Sequence, residues 1–130
     1  MIDGLRSVLE ADPRIAYAVL FGSHGRGAAR AGSDVDVAVG LAPGDRMSAR
    51  DAGELVSRLE AATGARVDLV NLDEAGPGLA YRAFRDGQLL LARDARALAE
   101  RRARAILEYL DWKPVEDAFA RGVLEAGRRG

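Results

Sequence analysis

Two aspartates, Asp34 and Asp36, interrupt an apolar run in "SDVDVAVGL". Side chains at i and i+2 of a strand leave the same face, so the pair would hold two carboxylates roughly 6–7 Å apart by strand rise alone. Two anions at that spacing call for a cation. Magnesium suits them, because it binds through one or two carboxylates, retained waters and phosphate oxygens instead of a full protein cage. Asp68, in "RVDLV", offers a third acid. Its neighbours Val67 and Leu69 should face the core, which turns Asp68 the same way as the pair if the two strands lie side by side. The stretch "LFGSHGRG" supplies the other half of such chemistry. Gly22 allows close backbone approach, Ser23 can present a hydroxyl and an N–H to a phosphate, and Arg26 adds a bidentate cation. No Gly-Lys-Ser/Thr follows, so this is not a Walker loop, and the glycine spacing is not a dinucleotide fingerprint.

The elements that must position these residues can be read from periodicity. "IDGLRSVLEAD" is an amphipathic helix ended at Asp12-Pro13, and "RIAYAVLFG" is a buried strand stopping at Gly22. "SDVDVAVGL" alternates, with Val35, Val37 and Val39 on one face and Asp34, Asp36 and Ala38 on the other. "MSARDAGELVSRLEAATG" opens on a Ser48 cap with an acid at Asp51 and stops at Gly64. "ARVDLVNL" is a third strand; after the Gly76-Pro77-Gly78 break, "LAYRAFRDG" is a short helix and "QLLLA" an edge strand. Two helices are expected to close the chain. The first would bury Leu98, Ala105, Ile106, Tyr109 and Trp112, and the second, starting at Pro114, would bury Val115, Ala118, Phe119, Gly122 and Val123. The order gives an α/β (α+β) fold, a small mixed sheet covered by helices. Tyr17, Phe21, Leu55, Leu59, Phe84, Ile106, Tyr109 and Phe119 are expected core residues, while Trp112 falls where it could face the core or a partner.

Length and composition set the outer limits. The 130 residues suit one domain, 1–130, read as a core over 1–92 followed by C-terminal helices over 93–130. The absence of cysteine excludes disulfides and thiolate metal sites, and a single histidine is too little for a zinc cluster, so any metal must be held by oxygen. A net charge of -1 argues against a polyanion-binding surface. The one basic cluster, "RDARALAERRARA", shares its helix with Asp94 and Glu100 and reads as a solvated face, so direct nucleic-acid binding is not expected. No run is long and apolar enough for a membrane span, and the opening lacks the basic-then-apolar order of a secretory signal; a cytoplasmic location is the expectation. His24, beside the glycine loop, reads as a solvated loop histidine.

Gly22-Ser23, ten intervening residues, Asp34-x-Asp36 and the later strand aspartate Asp68 together resemble the nucleotidyltransferases of the polymerase-beta superfamily. "GSHGRGAARAGSDVDVAV" is most similar to the minimal nucleotidyltransferase (MNT) antitoxins, partners of HEPN-type toxins, and "AYRAFRDGQLLLARD" and "EYLDWKPVEDAF" resemble that family's later segments. The resemblance implies that Gly22 and Ser23 contact nucleotide phosphates, that Arg26 steadies the triphosphate, and that Asp34, Asp36 and Asp68 hold Mg2+, with Asp68 also helping to deprotonate the attacking hydroxyl. It implies ATP as donor and, as acceptor, a tyrosine hydroxyl of a cognate HEPN ribonuclease toxin. The chain would then be the antitoxin of a type VII toxin-antitoxin system, in a hetero-oligomer with its toxin. Gly25 departs from the pattern, since relatives often carry a better helix former there, which implies a looser turn after Ser23. Two other activities fit the same motif: nucleotidyl transfer to a small molecule such as an aminoglycoside, and neutralisation of a toxin by binding alone.

Overall fold

In the computed structural model, residues 1–27 and 32–129 are described; Ala28 to Ala31, part of the spacer between Ser23 and Asp34, lie outside them, as does Gly130. Four strands form one mixed sheet in the order β3-β2-β1-β4. β1 (Ile15–Phe21) lies inside, antiparallel to both β2 (Val35–Leu41) and β4 (Gln88–Ala92), while β2 runs parallel to β3 (Val67–Asn71). A strand covered on both faces has no need of alternation, and all seven residues of β1 are buried.

Helices α1 (Ile2–Glu10) and α3 (Ala49–Thr63) cover one face of the sheet. There Leu5, Leu9, Leu55 and Leu59 pack with Val35, Val37 and Val39, the apolar side of the alternation in β2. α3 is delimited as its sequence dictates. Ser48 Oγ accepts from the Asp51 N–H at 3.0 Å, the Asp51 carboxylate returns the bond to the Ser48 N–H at 3.2 Å, and Gly64 ends the helix in the left-handed conformation. On the other face α4 (Pro77–Asp86) and α5 (Ala95–Arg129) pack Ala80, Ala83, Phe84 and Ala105 against Tyr17, Val19, Phe21 and Ala38. A single turn, α2 (Gly22–Gly25), leaves the end of β1.

Three expectations change. The Gly76-Pro77-Gly78 break is itself the start of α4, with Pro77 in the first turn, where its missing N–H costs no hydrogen bond. The two closing helices are one continuous helix of 35 residues with Pro114 inside it. No glycine or asparagine stands between Trp112 and Val115 to end the first segment, so the proline removes one backbone bond without turning the chain. As a result the second half runs past the sheet. Ile106 is 42% exposed and Phe119 75%, so neither is core. Val115, Ala118, Gly122 and Val123 are likewise exposed.

Candidate active site at the end of the sheet

β1 delivers the glycine loop and β2 and β3 deliver the acids, all to one end of the sheet. Phe21 pairs with Asp36 across β1 and β2, and Asp36 pairs with Asp68 across β2 and β3. Asp36 and Asp68 thus stand side by side, next to the turn that begins at Gly22. Asp34 lies one residue before β2 and is exposed, as is Asp68, whereas Asp36 is half-buried.

Gly22 has φ +65, a conformation that disfavours any side chain, and a Cβ there would collide with Asp36 Oδ2. The role of this glycine in the structure is steric. It leaves room for the Asp36 carboxylate against the loop. Gly25 is a second close approach, since a Cβ on it would press on the carbonyl oxygens of Leu20 and Asp86, at 2.5 and 3.2 Å. The turn after Ser23 is packed against the ends of β1 and α4, and the looseness expected from this glycine is not found. His24 is also bound, its Nε2 lying 3.2 Å from the Ser33 carbonyl oxygen. A carbonyl only accepts, so Nε2 donates, and this contact ties the glycine loop to the segment just before Asp34. Nothing in the sequence pairs these two positions nine residues apart, and the expectation of a solvated histidine is corrected. Arg26 is exposed at the end of α2, near enough to Asp86 to help hold that carboxyl below its usual range, although the bidentate Arg85 partner at 2.9 Å does more.

The electrostatics single out Asp36. Burial pushes its carboxyl above the usual range, and the neighbouring charges of Asp68 and then Asp34 push it further; His24 opposes them weakly. Such a group is short of positive charge. Among the described residues no three acids or histidines are gathered closely enough to form a metal cage by themselves. Magnesium asks for less, and one half-buried carboxylate with two others beside it, next to a glycine turn, is a donor set that suits it. A cleft of about 360 Å3 lined by Val39, Met47, Ala52, Leu69 and Asn71 lies elsewhere, at the far end of β2 and β3, and contains none of these residues.

Comparison with known proteins places this arrangement. A search of curated proteins gave no match. Among solved structures, a chain of "the toxin-antitoxin with AMP-PNP" superposes with a TM-score of 0.82 at 24% identity, covering 95% of this chain and 98% of that one. A chain of the toxin-antitoxin MntA-HepT gives 0.76 at 22% identity, over 95% and 96%. A chain of the complex between the tri-AMPylated Shewanella oneidensis HEPN toxin and its MNT antitoxin gives 0.75 at 22% identity, over 95% and 99%. At these identities the likeness is one of fold, and it includes the long C-terminal helix. The family model described as "Polymerase beta, Nucleotidyltransferase" matches residues 4–96, the stretch that holds the glycine loop and all three acids. This chain belongs to the polymerase-beta nucleotidyltransferase family.

Proposed function

We propose that the chain transfers AMP from ATP to a tyrosine hydroxyl of a HEPN-type toxin and so acts as its antitoxin. One observation carries the reading: the Asp36 carboxylate, pushed up by burial and then by Asp68 and Asp34, lies against Gly22 at the turn that leaves β1. The solved complexes that share its fold include one with AMP-PNP and one whose toxin is tri-AMPylated, which supports the same donor and acceptor here.

In this reading the backbone at Gly22 and the Ser23 hydroxyl and N–H receive phosphate oxygens of ATP, and Arg26 reaches the triphosphate from the end of α2. Asp34, Asp36 and Asp68 would hold Mg2+, which when bound screens the phosphates and stabilises charge on the leaving group. Asp68, the more exposed of the paired acids, takes the proton from the attacking hydroxyl. The new bond joins that oxygen to the α-phosphorus, the bond from the α-phosphorus to the bridging oxygen breaks, and pyrophosphate leaves with the bonding electrons. AMP on the tyrosine adds bulk and negative charge, which blocks a ribonuclease site.

The test uses ATP labelled at either the α- or the γ-phosphate, incubated with magnesium, this protein and its cognate HEPN-type protein. Label should enter the partner from the α position only, and chelation of magnesium should stop it. Transfer from the γ position, or none from either, would refute the reading.

A further inference from the structure

Most of α5 lies beyond residue 96, where the family match ends. One face of this helix repeats at intervals of three and four residues along its length. Leu98, Arg101 and Ala105 begin that face and are wholly or partly covered by the sheet layer. Tyr109 stacks on Tyr81 of α4 at 3.9 Å. Trp112, Val115 and Phe119 continue the same seam with Val123 at its edge, and they are 40%, 54%, 75% and 56% exposed. The apolar stripe therefore goes on after the domain beneath it has ended.

The charges around the stripe say what should cover it. Asp111 and Glu116 edge it, while Glu108 is paired with Arg104 at 3.5 Å, Lys113 is paired with Asp117 at 3.1 Å, and Arg121 points, by helical phase, to the opposite side. Among the described residues Glu116 Oε2 is buried without a hydrogen-bond partner, beside a cleft of about 300 Å3 that it shares with Trp112, Arg82 and the first turn of α4. A buried carboxylate oxygen with no donor next to an indole face is suited to a lysine or arginine side chain. A second copy of this chain carries the same acids on this face and, among the described residues, brings no unpaired lysine or arginine of the Trp112–Val123 segment to it.

We propose that the Trp112–Val123 face of α5 is the docking surface for a protein whose docking helix presents apolar residues flanked by lysine or arginine, one of whose cations enters the Trp112–Glu116 cleft. It rests on the function proposed above only in naming the acceptor toxin as that protein.

The experiment measures, by calorimetry, binding of the full chain to its cognate HEPN-type protein, with ATP binding as the check on folding of the α5 variants and circular dichroism as the check on the variant at the acids. Phe119→Asp should weaken partner binding on the order of 100-fold and Glu116→Gln, which keeps volume, about 10-fold. Neither should change ATP binding. Asp34→Asn with Asp36→Asn should bind the partner as wild type does while transferring nothing, which separates docking from chemistry. Wild-type affinity in Phe119→Asp and Glu116→Gln would overturn the proposal. So would loss of binding confined to Leu107→Asp and Leu110→Asp on the helix's other side. A wild-type dimer that Phe119→Asp dissociates, seen by sedimentation, would make a second copy the occupant and equally overturn it. If wild type binds the partner through this face yet never modifies it, the docking surface stands and the transfer reading falls.

Discussion

Two acids of this chain, Asp12 and Asp36, have opposite surroundings. Asp12 is buried at the turn between α1 and β1, and Arg14 grips it from both nitrogens of a fork, at 2.9 and 2.7 Å, with the Arg14 backbone N–H adding a third bond at 3.1 Å. The Arg14 side chain holds its carboxyl below the usual range. The same guanidinium reaches Asp51, the acid of the α3 capping box, at 3.1 Å, so one arginine joins the start of β1 to the start of α3. Asp36 has burial, two acids beside it and, among the described residues, no paired lysine or arginine, and its carboxyl is pushed up. Asp12 serves the fold and is paired; Asp36 stands among acids, a setting that favours a bound cation.

The sharpest way to break this comparison is to neutralise both kinds of acid and look at both properties. Asp34→Asn with Asp36→Asn should lower AMP transfer by about 10^3-fold or more, on the scale of lost electrostatic catalysis, while the melting temperature holds or rises. Equal transfer by the double variant in a steady-state assay would remove these acids from the site. Gly22→Ala should come next. Its Cβ would displace the Asp36 carboxylate and strain a φ of +65, so ATP affinity should fall on the order of 10–100-fold, whereas Ser23→Ala loses one hydroxyl and keeps the backbone amide, a cost of about 1 kcal/mol. Equal, small losses in the two variants would move the phosphates away from this turn.

Asp12→Asn tests the other side. It breaks a fork of charge-assisted bonds and should cost about 2–3 kcal/mol of folding stability, with transfer per folded molecule unchanged in an assay corrected for unfolded protein. The pH dependences should also run in opposite directions. The contribution of Asp12, whose folded value is depressed, is present above its ordinary value and lost as pH falls through the folded one. Asp36, whose folded value is raised, favours the fold below its ordinary value, and that advantage is lost as pH rises through the folded one. Chemical denaturation across pH should therefore show Asp36→Asn more stable than wild type near neutrality, the gap closing in acid. A gap of the same sign for both variants would contradict the comparison.

Much of this contrast is visible in the sequence because it is written in local spacing. Val35, Val37 and Val39 alternate with Asp34 and Asp36, Gly22-Ser23 follows an apolar run, and Ser48 with Asp51 announces α3; each involves residues within a few positions of one another. What stayed hidden depends on contacts through space. That Gly22 makes room for Asp36, that Gly25 packs on Leu20 and Asp86, and that His24 reaches Ser33 are facts of how strand ends meet, which no periodicity encodes. The end of α5 failed for another reason. Helical spacing shows that Val115, Phe119 and Val123 share a face, but not whether the chain itself covers that face.

One carboxyl reports the state of the site most directly, in an NMR titration of Asp36 with Asp12 as the reference in the same spectrum. Without ligand, Asp36 should titrate above the ordinary aspartate range and Asp12 below it. With ATP and magnesium together, Asp36 should drop well below its unliganded value, because a bound cation favours the charged form, while Asp12 stays where it was. An Asp36 that titrates in the ordinary range without ligand, or that does not move when ATP and magnesium are added, would contradict the account.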